Sequence, residues 1–159
     1  MIKAVYDDWA EDCVRCQGDA RRVMKIWRLG HYYMTTSDKV LFRKPRLVLY
    51  KGLNNYYNRL LHGFEIPLQT FIGKGLRIVH MNGIVVSQYA RIGENCTVFQ
   101  QVTIGAVSGV NGAPQIGNNV YIGAGAKILG AIKIGDNVKI GANAVVTHDI
   151  PDNVTVVGI

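Results

Sequence analysis

From Val86 onward a Val or Ile returns at every sixth residue, at 86, 92, 98 and 104 and again at 116, 122, 128, 134, 140 and 146. Glycine follows directly at 93, 105, 117, 123, 135 and 141. Four residues beyond the branched position the side chain is small or apolar, as at Ala90, Cys96, Val102, Val120, Ala126, Val138 and Ala144. A period of six is neither that of a helix nor the alternation of a single strand. It fits a triangular coil of three hexads, in which each side is a short strand and each corner a tight turn. The branched residue then points inward and stacks on its equivalents about 4.8 Å away in neighbouring coils, while glycine and small residues let the chain turn. A fainter set at Ile66, Ile72 and Ile78 extends the pattern upstream, which predicts roughly four coils over residues 65–150.

Two interruptions of the period stand out, because irregular segments on a rigid scaffold tend to carry function. Ile78 and Val86 are eight residues apart rather than six, so His80-Met81-Asn82-Gly83 holds a two-residue excess at a corner. The second interruption is the segment 106–115, AVSGVNGAPQ, too polar and glycine-rich for a core and expected to project as a loop. Both are expected to line one cleft.

Residues 1–62 lose the hexad and read as a helical N-terminal cap, with the β-helical domain over 63–159. Asp19 caps a predicted helix with Val23, Ile26 and Trp27 on one face and Gly30 as its stop. Pro45 opens another with Leu49, Leu53, Tyr56 and Leu60 on one face, ending near Gly63. These helices would cover the first coil, whose edge otherwise exposes unpaired backbone groups. Residues 151–159 are read as leaving the register, which leaves room for a longer natural chain.

The formal charge of +7 is concentrated upstream: residues 21–61 carry ten Lys or Arg against the single acid Asp38, and residues 62–159 carry six against five. Net charge alone does not choose between nucleic acid, an anionic membrane and an acidic polymer. No run of eighteen apolar residues and no signal-peptide pattern occurs. Three cysteines make no disulfide framework. A cytoplasmic protein is expected, with contact to the inner face of the membrane through the basic segment as an open alternative.

The segments IGKGLRIVHMNGIVV, IGENCTVFQQVTIG, IGNNVYIGAGAKILG and IKIGDNVKIGANAVVTHDIPDN together resemble the serine acetyltransferase family and its polysaccharide O-acetyltransferase relatives, over about residues 63–157. The resemblance implies a left-handed parallel β-helix, a homotrimer and acetyl-CoA as cosubstrate, lying in a groove between subunits. It makes His80 the general base and places Glu65, fifteen residues earlier and one methylene longer than the family's usual Asp, as the carboxylate that holds it. Ala106, Ala124 and Ala142 match cosubstrate contacts, with Lys139 near the phosphates. A neutral imidazole suits the chemistry, since an alcohol is almost fully protonated at neutral pH and must lose its proton as it attacks the thioester.

Members that acetylate serine carry an Asp before the histidine and an Arg-His pair before the loop proline, where this chain has Val79, Gly112 and Ala113. Charged groups of an amino acid would lack partners there. The expected activity is therefore acetyl-CoA-dependent O-acetylation of a carbohydrate hydroxyl in polysaccharide biosynthesis. Serine acetylation for cysteine biosynthesis and a non-catalytic trimeric scaffold are the alternatives. The basic segment, interleaved with Trp27, Tyr32, Tyr33, Phe42, Tyr56 and Tyr57, is expected to meet a glycan or membrane rather than nucleic acid.

Other signals carry less. Cys13 and Cys16 lack the second pair that a structural zinc site needs, and no metal is expected. Cys96 falls on an inward position and reads as a core thiol. Lys127, Lys133 and Lys139, six apart, are expected to form one exposed ladder.

Overall fold

A computed structural model describes residues 2–16, 18–36 and 42–158, leaving the side chains of 2–6 and Cys13 outside the described set. The chain begins with helices α1 (Ile2–Arg15), α2 (Gly18–Thr35) and α3 (Arg43–Leu53), the last continuing as a π-helix over Asn54–Leu61. The expected left-handed parallel β-helix follows. Its first face stacks Phe71–Ile72, Arg91–Ile92, Gln115–Ile116 and Lys133–Ile134. The second stacks Arg77–Ile78, Thr97–Val98, Tyr121–Ile122, Lys139–Ile140 and Thr155–Val156, and the third Val85–Val86, Thr103–Gly105, Lys127–Leu129 and Val145–Val146. Every pairing is parallel and in register, Ile78 on Val98 and Val98 on Ile122, so the period-six residues form three buried columns.

The corners explain a signal that the hexads also carry. Three residues after many of the inward residues the backbone is left-handed, at Asn95, Asn119, Asn137, Asn143 and Asn153, where Asn is the side chain that best tolerates that region. Side chains beside these turns bond from coil to coil: Asn118 Oδ1 accepts the Glu94 N–H at 2.8 Å, and Asp152 Oδ1 the Asp136 N–H at 2.8 Å.

Residues 151–159 were expected to leave the register, but Thr155–Val156 pairs with Lys139–Ile140. Ile150, which pairs with Ile134, follows Val146 at a step of four rather than six, so the last coil has one corner short by two residues and then regains the spacing. The three lysines do not make a ladder. A step of six moves one face around the triangle, which puts Lys127, Lys133 and Lys139 on three different faces.

Helices α1 and α2 close the first coil through a set of polar contacts that the hydrophobic pattern does not show. Arg28 donates to the carbonyls of Ile72 and Gly73 at 2.7 and 2.6 Å, and its guanidinium is held by Asp12 at 2.8 and 3.1 Å. Asp12 also accepts the Leu76 N–H at 2.9 Å. Cys16 lies against Leu76 O and Ile78 N, both at 3.3 Å, and Trp27 Nε1 donates to Pro67 O. Desolvation pushes the Asp12 carboxyl up, opposed by its bonds and attraction to Arg28. Gly30 does not stop α2, which runs on to Thr35. A Cβ on it would lie 2.8 Å from Leu68 Cδ2, so glycine serves close packing of α2 on the chain entering the first coil. The predicted apolar face of the next helix is also not a core face, since Leu49, Tyr56 and Leu60 are exposed.

Removing Asp12 leaves Arg28 buried without its counter-charge. Asp12→Ala is expected to cost about 3–5 kcal/mol in urea unfolding. A second test concerns His31, half-buried, stacked on Trp27 and bonded to Leu68 O through Nδ1 at 2.7 Å. Burial holds its imidazole below the ordinary value, with the Leu68 carbonyl opposing. The unfolded chain therefore takes up the proton first, and stability present above about pH 6.5 is lost as pH falls through and below that value. The drop in urea midpoint between about pH 7.5 and pH 5.5 should be smaller in His31→Gln.

Candidate active site

The two-residue excess around His80 is accommodated by extrusion at a corner. Ile78 pairs with Val98 and Val85 with Thr103, so residues 79–84 span the turn that residues 99–102 make in the next coil. The flanks remain tied, with Val79 N–H donating to Val98 O at 3.0 Å and Gln101 N–H to Asn82 O at 2.8 Å. Between them His80 is exposed, Met81 packs against the core and Gly83 turns the chain at φ 69°. An imidazole on such a ledge is open to a reacting molecule and held at both ends by the coil beneath.

Glu65 enters the same neighbourhood from the preceding coil. It pairs with Val85 in a parallel bridge, its N–H donating to Ile84 O at 2.8 Å, which sets it beside the end of the extruded turn. Its carboxylate lies 3.9 Å from Arg59 Nη2, both groups about half exposed or more. No hydrogen bond joins Glu65 to His80 among the described residues. Exposed pairs of this kind contribute little to stability, so the carboxylate is free to exchange partners.

Two of the three alanines lie below His80 on the same corner. Gln101 N–H donates to Asn82 O, Gly125 N–H to Gln100 O at 2.9 Å and Asn143 N–H to Ala124 O at 2.8 Å, so Asn82, Gln100, Ala124 and Ala142 occupy successive levels, with His80 two residues before Asn82 on the extruded turn. Side chains are excluded from much of this edge: a Cβ on Gly123 would meet Ala142 N at 2.7 Å. The exposed Lys139 precedes the lowest of these turns on the second face.

Ala106 and the loop lie elsewhere. The chain leaves the third face at Gly105 and returns on the first at Gln115, so the loop occupies the next corner of the triangle. Its residues 106–112 are exposed, while Ala113 and Pro114 are buried. Within one chain the two interruptions therefore do not line one cleft, contrary to expectation. They flank the third face, whose width is on the order of 15 Å. The period counts residues along the chain and is blind to which corner each interruption falls on. A groove of about 600 Å³ lies on the first face, against Arg91, Gln115, Lys133 and Asp149, and contains none of the expected site residues.

The sequence reading overlooked Gln100. Its Oε1 is sealed from solvent and has no hydrogen-bond partner among the described residues, in the coil below His80. Leaving a buried acceptor unpaired costs about 1–3 kcal/mol. A polar residue at a corner position that the two following coils fill with Ala124 and Ala142 was the available signal. Cys96 is fully buried and its thiol is pushed up to about 11 by desolvation, so it stays protonated and is no nucleophile at neutral pH. Among the described residues no three His, Cys, Asp or Glu side chains converge as a metal site would require. Of the aromatic residues assigned to a basic binding patch, Trp27, Tyr32 and Tyr33 are buried, and only Phe42, Tyr56 and Tyr57 reach solvent.

Comparison with known proteins bears on what such a site does. The bacterial transferase hexapeptide (six repeats) family matches residues 113–148. A serine acetyltransferase of Synechococcus elongatus is 44% identical over 118 residues, 73% of this chain and 48% of that protein. One of Staphylococcus xylosus is 45% identical over 121 residues, 75% of this chain and 56% of that protein. The chain thus spans about half the length of these relatives. Among solved structures, a serine acetyltransferase in complex with CoA superposes with a TM-score of 0.81 at 28% identity, covering 99% of this chain and 68% of that one. The Neisseria gonorrhoeae serine acetyltransferase in complex with serine gives 0.72 at 35% identity, covering 87% and 54%.

These likenesses overturn the assignment of a carbohydrate acceptor in polysaccharide biosynthesis. That assignment rested on three positions without charge, Val79, Gly112 and Ala113, and treated them as the whole recognition surface. A Cβ on Gly112 would lie 2.8 Å from Ala131 Cβ and Ala113 is buried, so charge cannot simply be placed there, and the partners of an acceptor must come from other groups. By repeat and fold the chain is a hexapeptide-repeat β-helix, and in sequence it resembles the serine acetyltransferases.

Proposed function

We propose that the chain transfers an acetyl group from acetyl-CoA to the hydroxyl of L-serine, with His80 as general base. The observation that carries this reading is His80 on its extruded corner, above the small-residue edge of Ala124 and Ala142, in a stretch about 44% identical to serine acetyltransferases. The imidazole takes the hydroxyl proton as the oxygen attacks the thioester carbonyl. Collapse of the tetrahedral intermediate expels the CoA thiolate, which receives the proton from the imidazolium, leaving O-acetylserine and CoA. Glu65, on exchanging Arg59 for His80, orients the ring and favours its charged form. Backbone N–H groups along the corner meet the developing oxyanion, and Lys139 meets a phosphate of the cosubstrate.

The separation of Ala106 from the His80 corner supports a homotrimer. One acetyl-CoA touching Ala106 together with Ala124 and Ala142 then lies between the loop of one subunit and the corner of its neighbour. The serine carboxylate and ammonium, unserved at Val79, Gly112 and Ala113, find their partners in the same intersubunit groove.

His80→Ala is expected to lower kcat/KM by about 10² to 10⁴ in CoA release with L-serine, and unchanged turnover would remove His80 from the chemistry. Mixing that variant with Ala106→Trp and refolding them together should restore about a quarter of wild-type activity, because randomly mixed neighbours pair one intact corner with one intact loop at that frequency. No recovery would place corner and loop in one subunit's site. Gln100→Met removes a buried acceptor that has no partner among the described residues, and should raise stability by about 1 kcal/mol in urea unfolding.

A further inference from the structure

The outer side of the rod formed by α3 and its π-helical continuation, residues 43–61, is a surface on which the β-helix does not pack. No residue of α3 is buried, and among the described elements α3 packs chiefly on α2 and the π-helix. Val48 is 71% exposed, Leu49 56%, Tyr56 53%, Leu60 68% and Leu61 53%, and Phe42 just ahead of the rod is 62% exposed. Single exposed apolar residues are ordinary, but so many on one short rod are not. Cations lie among them, at Lys44, Arg46, Lys51 and Arg59, and the sequence has no Asp or Glu from residue 39 to residue 64. No described helix is long and apolar enough to cross a membrane.

We propose that this rod lies on an anionic lipid surface, with the leucines and aromatics at the boundary between headgroups and acyl chains and the lysines and arginines against the phosphates. Charge chooses between the occupants. A second copy of the chain, docked through the same patch, would set Lys44, Arg46 and Lys51 against their own copies with no acid on the rod to neutralise them, Arg59 alone having Glu65 beside it. A nucleic acid would satisfy the cations but leave the leucines in water. An anionic bilayer satisfies both, an apolar interior beneath a layer of negative charge. The hydrophobic residues carry the insertion and the cations the preference for anionic lipid.

The test is co-sedimentation of the full chain with vesicles of phosphatidylcholine alone and of phosphatidylcholine mixed with phosphatidylserine. Binding is expected to the mixed vesicles and to weaken with salt. Leu49→Gln with Leu60→Gln should weaken it by about tenfold or more, and Lys51→Gln by about fivefold. All three positions are exposed, so the variants should keep the wild-type unfolding midpoint and rate of CoA release. Absence of binding, or equal binding to the neutral vesicles, would overturn the proposal. So would self-association abolished by the leucine substitutions, which assigns the face to a second copy, or tighter retention on duplex DNA than on vesicles. Vesicle binding does not depend on acetyl transfer, so the result stands whether or not the chain acetylates serine.

Discussion

A stack of parallel coils must end, and the first coil presents an open row of backbone donors and acceptors that no strand covers. The rest of the molecule depends on how that edge is closed. Arg28 takes two carbonyls of the first coil, Asp12 one amide, and Cys16 and Trp27 further groups nearby. Because Arg28 and Asp12 also hold each other, the edge is satisfied by one buried unit rather than by independent contacts. Such a pair adds little net stability over apolar packing, but it fixes helices and coils in one relative position. The helical cap is thus the terminal element of the β-helix, with its docking set by hydrogen-bond geometry as well as by hydrophobic burial.

Below that edge the hexads repeat with little freedom. Inward Val and Ile stack in three columns, Asn and Gly take the left-handed turns, and side chains beside the corners bridge one coil to the next. A scaffold this regular can display an irregular segment without being deformed by it. The two extra residues at His80 are absorbed within one turn, and register is regained by Val85. The loop leaves and returns between paired strands in the same way. Rigidity of the coils is what allows an exposed histidine to be held in place on an irregular turn.

The division of labour around the triangle also shapes the functional reading. One corner carries His80 above a column of small residues, the next carries the loop, and a strand face separates them. Under the proposed function, a site that uses both corners would be assembled between subunits, and the active unit would then differ from the folding unit. The exposed rod at the N-terminal end adds a surface of different chemistry, apolar and cationic together, well suited to hold such an assembly against an anionic layer.

The sequence by itself determined the β-helix, because a period of six in branched residues has few other ways to bury them, and it marked His80 and the loop as departures from that period. It also carried the identity of the edge-capping residues without revealing their task, since Asp12 and Arg28 are far apart in the chain and obey no repeat. Only the tertiary structure decided that Gly30 is a packing contact, that the three lysines face three directions, and that Leu49, Tyr56 and Leu60 look outward. A helical period identifies an apolar stripe but not what covers it. Nor did the spacing show that the two interruptions occupy different corners, or that Glu65 lies next to Arg59. Those relations depend on how coils are laid over one another, and the side chains that meet there are neighbours in space without being neighbours in the repeat.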